Sequence, residues 1–314
     1  MKRGLITWDK SEIAPDVFAR RVDGVRRMLA ERGLSALVVY SDLWRSNHAR
    51  YFCNYMPYFN RALLIIPPEL PPTLLCGLSP RVYGWIRSVT TIEDVRPAGD
   101  FATPLFQLAA ERNWTRVGAL DLDQLPYDIN QAILRGSLEV ANMESSAVFS
   151  PGSDAAELTV RRKAAAMVEE ILMDELPKAV GSIDHHFVGR LERRFRRAGA
   201  EDLITLLSNG RAVPAPPTGA TLENNYSASV AMEYRGHWVR VSRPHASAEI
   251  VEQCKKLAVA AFGQARQRRP PAVPAVVEKL DGGYPYEIGT GTIRAIHVEF
   301  EYNGKRLFYG DTIL

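Results

Sequence analysis

The residues of this sequence best suited to chemistry lie just after one predicted turn. His237 directly follows the turn at residues 234–236, and Arg240 and Arg243 follow it at intervals of three residues. Histidine transfers protons near neutral pH, whereas arginine keeps its charge and binds carboxylates through a planar fork. We predict that His237 is the proton-transfer group, Arg243 an anion clamp, and Arg240 a stabiliser of developing negative charge.

Three further residues are acid–base candidates. His245, His297 and Glu299 follow the same region of the chain. For any single one of them, a surface or core position is a more common explanation than catalysis. We assign His297 to substrate binding.

Two hairpins must position these residues. Apolar runs at 226–233 and 237–241 flank the first turn, and runs at 297–302 and 305–309 flank Asn303-Gly304, the strongest short hairpin signal. Helical patterns precede them at 154–178 and 184–198. Helices first and hairpins later predict an α+β domain over residues 151–314.

The first half of the chain has a different pattern. An amphipathic helix at 16–33 leads into short apolar runs that alternate with helix-length stretches, which is typical of an α/β domain over residues 1–150. The apolar runs lie at 36–40, 62–66, 73–76 and 117–122, and the helix-length stretches at 80–88, 104–113 and 126–135. Ser, Pro and Gly at residues 150–153 mark the predicted boundary.

Composition excludes several classes of protein. The 314 residues are 46% hydrophobic, and 39 Lys and Arg balance 36 Asp and Glu for a net charge of +3, which is ordinary globular composition. The start lacks the pattern of a signal peptide, and no 18-residue apolar run could span a membrane. Three widely spaced cysteines suggest neither a disulfide framework nor a thiolate zinc site. We predict a cytoplasmic protein with no membrane partner.

Other motifs give weak signals. The arginines at 190–197 fall at helical spacing, but a solvated helix face explains them as well as a nucleic-acid stripe. Adjacent His185 and His186 point about 100° apart on a helix and cannot readily chelate one ion. Residues 289–292 resemble a glycine-rich phosphate loop without its Lys-Ser/Thr end. We predict no nucleic-acid partner, no metal and no cofactor.

Three segments together resemble the creatinase and aminopeptidase P superfamily. Leu37–Tyr40 with the aromatic pair at 51–52 and the segment at 58–61 is similar to its N-terminal domain. Residues 156–165 look like the helix that opens its pita-bread domain, and the hairpin at 231–243 resembles the one that carries its aspartate metal ligands. The resemblance implies an α/β N-terminal domain and an α+β pita-bread domain.

The resemblance also implies a departure from the metal site of that superfamily. Its peptidases bind two divalent ions through two Asp, one His and two Glu. Here the two Asp positions fall on Ser229 and Arg240, and the His position falls at about Thr292. The strands with the glutamates would lie beyond Leu314, so we expect a pita-bread domain shortened at its C-terminus, a metal-free divergent member of the superfamily and no metallopeptidase activity.

Creatinase, a metal-independent relative, offers another precedent. The position of the catalytic His of creatinase corresponds to Ala212 in this sequence, and the position of the acidic residue on its hairpin corresponds to Ser242. The catalytic residues of creatinase are therefore absent from these positions. Creatinase-like enzymes hold a substrate carboxylate with residues of the partner subunit's N-terminal domain. The residues of this chain that match them are Tyr58, Phe59 and Arg61. The resemblance therefore implies that all three bind substrate and that the protein is a homodimer.

Two hypotheses about function remain. The first is a metal-independent enzyme of hydrolase or lyase type that acts on a small carboxylate-bearing, amino-acid-like molecule. The alternative is a catalytically inactive pita-bread homologue that serves as a ligand- or protein-binding module. The polar and aromatic segment at 58–61 favours the first, and the lost catalytic positions favour the second.

Overall fold

The computed structural model describes residues 6–57, 59–149, 154–210, 213–267, 269–280, 287–288 and 293–314. The chain divides into two compact units, Lys2–Ser150 and Pro151–Leu314. Each unit has its own sheet, and each is described by itself below.

The N-terminal unit is an α/β domain, as its alternating pattern predicts. Its six-stranded sheet has the order β4-β3-β2-β1-β5-β6, in which β1 is antiparallel to β2 and parallel to β5. The helices are α1 (Pro15–Glu31), α2 (Asn47–Cys53), α3 (Tyr83–Val89), α4 (Ala102–Glu111), α5 (Tyr127–Leu134) and α6 (Ser145–Val148), and the strands are β1 (Leu37–Ser41), β2 (Ala62–Ile66), β3 (Thr73–Cys76), β4 (Asp94–Pro97), β5 (Arg116–Leu120) and β6 (Glu139–Met143).

Helices cover both faces of this first sheet. Helices α1, α2 and α3 pack on one face, where Leu37, Val39 and Leu64 point, and α4 and α5 pack on the other, where Val38 and Ile65 point. The central strands β1 and β2 are therefore buried along their whole length and consist almost entirely of apolar residues. Because both faces of these strands are buried, the sequence pattern that predicts them is a continuous apolar run rather than an alternation of apolar and polar residues.

The C-terminal unit combines helices with a larger, mostly antiparallel sheet. Its seven strands have the order β11-β10-β12-β13-β9-β8-β7. The helices are α7 (Ala155–Glu175), α8 (Asp184–Arg197) and α9 (Ala248–Arg266), and the strands are β7 (Asp202–Ser208), β8 (Tyr226–Tyr234), β9 (His237–His245), β10 (Ala275–Lys279), β11 (Glu287–Ile288), β12 (Arg294–Tyr302) and β13 (Lys305–Ile313). This is the α+β arrangement expected for the second half of the chain.

Both predicted hairpins form, and their turns have the expected backbone. Arg235 and Gly236 connect β8 to β9 with φ of 51° and 82°, and Asn303 and Gly304 connect β12 to β13 with φ of 50° and 71°. Positive φ at both central residues matches the right-handed twist of paired strands. The hairpins meet where β13 pairs with β9 at a single registered position, Gly310 opposite Ser242.

Helices pack against only one of the two faces of this sheet in the described part of the unit. Helix α7 packs on β8 and β9, and α9 packs on β12 and β13 through Ile296, Val298 and Ile313. Side chains alternate between the faces of a strand, so the other residues of β9, β12 and β13 point away from these helices. We call the two surfaces the helix face and the polar face.

Candidate functional site

Polar side chains of five strands meet on the polar face of the second sheet. Cross-strand partners point to the same side, and the pairing Ser229–Ser242–Gly310–His297 therefore puts these four residues on one face. Arg240 and Thr312 lie two residues along their strands from members of that row, and Glu278 lies two residues from Val276, which pairs with His297. We call Ser229, Arg240, Ser242, Glu278, His297 and Thr312 the polar-face cluster, and all six are buried.

The cluster is centred on a buried ion pair between β9 and β10. The Arg240 guanidinium donates from Nη1 to both carboxylate oxygens of Glu278 and from Nε to Ser229 Oγ at 2.9 Å. The side chains are only 4% and 9% exposed. Thr312 Oγ1 accepts from the Arg240 backbone N–H and donates to its carbonyl oxygen, which ties β13 to the same residue. The Arg240 charge is therefore balanced inside the sheet.

A second contact in the cluster joins a histidine to a serine. His297 Nδ1 lies 2.7 Å from Ser242 Oγ, and His297 Nε2 lies 3.5 Å from Glu278 Oε2. Burial and the nearby Arg240 charge lower the pKa of His297, so the ring is neutral near pH 7. If the ring proton sits on Nε2, facing the carboxylate, Nδ1 accepts the hydroxyl proton of Ser242.

Glu278 stays ionised although it is buried. Burial opposes its charge, but the contacts with His297 and Arg240 outweigh burial and lower the pKa of the carboxyl group. The cluster thus places the Ser242 hydroxyl beside a neutral imidazole, whose Nε2 faces the ionised carboxylate at 3.5 Å without a hydrogen bond to it. This order of groups activates serine in many hydrolases.

Gly310 makes room for the histidine ring. A Cβ built at this position would lie 2.2 Å from His297 Nδ1 and 2.7 Å from the backbone oxygen of Ile296. No side chain larger than hydrogen fits while the ring keeps its place. The glycine directly opposite His297 is therefore part of the site.

Two of the three predicted catalytic residues lie on the helix face instead. His237 Nδ1 lies 3.8 Å from Glu157 Oε1 of α7. Arg243 donates to Glu169 of α7 and to Asp311 of β13, both at 2.8 Å from Nη2, and also to the backbone oxygens of Ser242 and Gly310. The structure thus brings Arg240 and His297 together and puts His237 and Arg243 on the opposite side of the sheet, because odd and even positions of β9 face opposite ways.

The predicted substrate-binding segment lies in the N-terminal unit. Phe59 is 69% exposed, and Arg61 donates to Asp128 Oδ2 at 2.8 Å in an exposed ion pair. The hydrogen bond to Asp128 raises the pKa of Arg61. Tyr58 lies outside the described residues, as do Ala212 and the loop at residues 289–292 that contains Thr292. The segment therefore presents an aromatic ring and a cation at the surface of its unit.

The polar-face cluster does not fit a pair of divalent metal ions. Such ions take carboxylate and imidazole ligands, but Arg240 brings a cation to one of the expected ligand positions and already engages Glu278. Among the residues that the structure describes, no group of three or more His, Cys, Asp and Glu side chains is placed to hold a metal ion.

Sequence reasoning missed Glu278 and Gly310. The proline-rich stretch that ends at Pro274 predicts a loop, and the five-residue strand β10 begins directly after it. Residues 275–279 read as three apolar side chains followed by two charged ones, so their pattern does not assign Glu278 to one face of a strand. Nothing local in the sequence indicates that Gly310 lies opposite His297, since this follows only from the register between β12 and β13.

Comparison with known families identifies the first unit. Residues 21–148 match the model of the Creatinase/Prolidase N-terminal domain. No curated protein matches the sequence. No described helix combines the length and the apolar character that crossing a membrane requires.

Solved structures show the fold of the chain as a whole. The prolidase from Pyrococcus horikoshii OT3 superposes with a TM-score of 0.68 at 13% identity over 94% of this chain and 95% of its own. The X-Pro aminopeptidase from Thermotoga maritima MSB8 gives 0.71 at 13% identity over 93% of each chain, and the Xaa-Pro dipeptidase from Bacillus anthracis gives 0.67 at 11% identity over 94% of each. At 11–13% identity, these matches show the fold of the chain and nothing finer.

Proposed function

Because residues 21–148 form a Creatinase/Prolidase N-terminal domain and the chain has the pita-bread fold, we propose that the protein is a hydrolase-type enzyme. Its proposed substrate is a small carboxylate-bearing, amino-acid-like molecule, and its chemistry needs no divalent metal. The observation that supports this best is the 2.7 Å contact between Ser242 Oγ and His297 Nδ1.

The proposed chemistry uses the polar-face cluster. His297, neutral near pH 7, takes the hydroxyl proton as Ser242 attacks the substrate carbonyl, and it gives that proton to the leaving group as the bond between the carbonyl carbon and that group breaks. Water, deprotonated by His297, then cleaves the acyl-serine ester, which releases the acid and restores the Ser242 hydroxyl. Glu278 faces Nε2 and stabilises the protonated ring that forms in between. Arg240 balances the charge of Glu278 and supplies a positive field beside the reacting hydroxyl.

Substrate binding is assigned to the segment of the N-terminal unit that carries Phe59 and Arg61. The ion pair of Arg61 with Asp128 is exposed, and such pairs contribute only about 0–1 kcal/mol. A substrate carboxylate can therefore replace Asp128 at low cost and accept hydrogen bonds from the planar guanidinium of Arg61 through both of its oxygens. In the proposed homodimer this segment serves the site of the partner subunit.

The Arg61 assignment is tested by direct binding. We expect Arg61→Ala to weaken the binding of small amino-acid-like carboxylates by about tenfold, the equivalent of one charge-assisted hydrogen bond. Asp128→Asn is the matched control, because it removes the competing carboxylate and should tighten binding. Equal affinity in all three proteins, measured by calorimetry, removes Arg61 from the site.

A second candidate function is ligand binding without catalysis. The burial of the proposed catalytic side chains favours it. Ser242 is fully buried and His297 is 4% exposed, and the Arg240–Glu278 pair already satisfies its own charges. Turnover separates the two candidates. The enzyme should convert a ligand that it binds, and His297→Gln should stop conversion without stopping binding, whereas a binding module converts no ligand that it holds.

A further inference from the structure

A cleft of about 530 Å³ lies on the helix face of the second sheet. Its walls are α7, α9 and the end of β13, on the side of the sheet opposite the polar-face cluster, and Thr312 is the one member of that cluster that also lines it. Its volume falls within the range of small-molecule sites. The polar-face chemistry proposed above makes no use of it.

One stripe of α7 forms the first wall. Arg162, Ala165, Ala166 and Glu169 follow at the i, i+3, i+4 and i+7 spacing of a single helix face. The two alanines keep the wall low, so that the charged groups at its ends border an open space. Arg162 is exposed and has no ion-pair partner among the described residues.

The opposite wall and the floor supply an apolar surface and further charges. Phe262 and Arg266 lie one turn apart on α9, and Ile313 and Asp311 belong to β13. Burial raises the pKa of Asp311, and Arg243 and Arg266 counteract this by favouring its charged form. The cleft therefore combines the apolar side chains of Phe262 and Ile313 with charged groups of both signs.

The charged groups of the cleft are incompletely paired. Arg243 occupies one oxygen of Glu169 and one of Asp311, so Glu169 Oε2 and Asp311 Oδ2 accept no hydrogen bond from the residues described. Free carboxylate oxygens suit an ammonium group, and the guanidinium groups of Arg162 and Arg266 suit a carboxylate. A ligand that satisfies both must carry both charges.

We propose that this cleft binds a free amino acid with an apolar side chain. Its ammonium group faces Glu169 and Asp311, its carboxylate faces Arg162 and Arg266, and its side chain packs on Phe262 and Ile313. This site is separate from the proposed catalytic site on the polar face.

The test is calorimetric titration of the full-length protein with L-phenylalanine, N-acetyl-L-phenylalanine and L-phenylalaninamide. We expect L-phenylalanine to bind and each derivative, which lacks one of the two charges, to bind at least about tenfold more weakly. Arg266→Gln should weaken L-phenylalanine binding by a similar factor. Arg193→Gln, at an exposed arginine of α8, should leave it unchanged.

Three results overturn the proposal: no binding of L-phenylalanine up to its solubility limit, equal binding of either derivative, or equal binding by Arg266→Gln. Arg61→Ala distinguishes this site from the proposed catalytic one, because Arg61 is assigned to substrate binding there. It should bind L-phenylalanine as the wild type does, and a loss in this variant would locate the amino acid at the proposed substrate site instead. If the protein shows no hydrolysis, the proposal of an amino-acid site in the cleft is unaffected. If the cleft binds no amino acid, the proposal of hydrolysis is unaffected.

Discussion

At the scale of single residues, Gly310 and His297 depend on each other. A Cβ at position 310 would meet the imidazole ring and a backbone oxygen at distances that require something to shift. We therefore expect Gly310→Ala to destabilise the fold by about 1–3 kcal/mol, the usual cost of overpacking a filled core. Urea unfolding measures this change.

Gly263→Ala is the matched control for that variant. Gly263 lies in α9 of the same unit, and a Cβ there has open space. Because alanine favours a helix over glycine, the control should be neutral or more stable by about 0.5–1 kcal/mol. Equal stability changes in the two variants would show that the ring does not fill the space over Gly310.

His297 also predicts how stability depends on pH. Its pKa in the fold lies below the ordinary value of 6.5, with burial as the largest cause. Below pH 6.5 the unfolded chain therefore binds more protons at this residue than the folded one does. Stability should be full above pH 6.5 and fall as the pH drops from there toward the folded pKa, by at most about 1.4 kcal/mol per pH unit.

The comparison of wild type with His297→Gln isolates this contribution. His48 and His245, whose pKa values burial also lowers, are present in both proteins and cancel in the difference. We expect the difference in unfolding free energy between the two proteins to change between pH 8 and pH 5. A difference that is constant over this range would mean that His297 is protonated normally in the fold.

At the scale of elements, the Arg240–Glu278 pair connects strands that are not neighbours. The two residues belong to β9 and β10, with β13 and β12 between them. Removing one partner leaves the other buried without the opposite charge that faces it, so we expect Arg240→Met and Glu278→Leu each to cost about 3–5 kcal/mol. The double variant should cost much less than the sum.

The exposed pair of Arg306 with Glu299 on the same sheet provides the control. Glu299→Gln should change stability by less than about 1 kcal/mol. Additive effects in the Arg240 and Glu278 variants, measured by a double-mutant cycle, would show that the two buried groups do not stabilise each other.

The elements were more predictable from the sequence than the site was. Local signals, such as the Asn303-Gly304 turn and the apolar face of α1, indicated hairpins and helices because they depend on neighbouring residues. The faces of β9 also follow from alternation, which separates His237 from Arg240. The contact of Arg240 with Glu278 does not follow, because it depends on strand order and register across four strands.

At the scale of the whole molecule, the proposal requires two copies of the chain. The segment with Phe59 and Arg61 is assigned to the site of a partner subunit, and an exposed aromatic ring beside an arginine suits a protein interface. We expect light scattering after gel filtration to give twice the monomer mass of 35.0 kDa. The monomer mass at working concentration would contradict the shared site.

The most direct test of the central proposal is hydrolysis measured with and without a metal chelator. Amino-acid-derived amides and esters serve as substrates for wild type, His297→Gln and His237→Gln. We predict that wild-type turnover persists with excess chelator, falls at least about a hundredfold in His297→Gln and changes little in His237→Gln, because of these two histidines it is His297 whose ring lies against the Ser242 hydroxyl. Turnover that requires added Mn²⁺, that survives in His297→Gln, or that is absent for every substrate would contradict a metal-independent hydrolase.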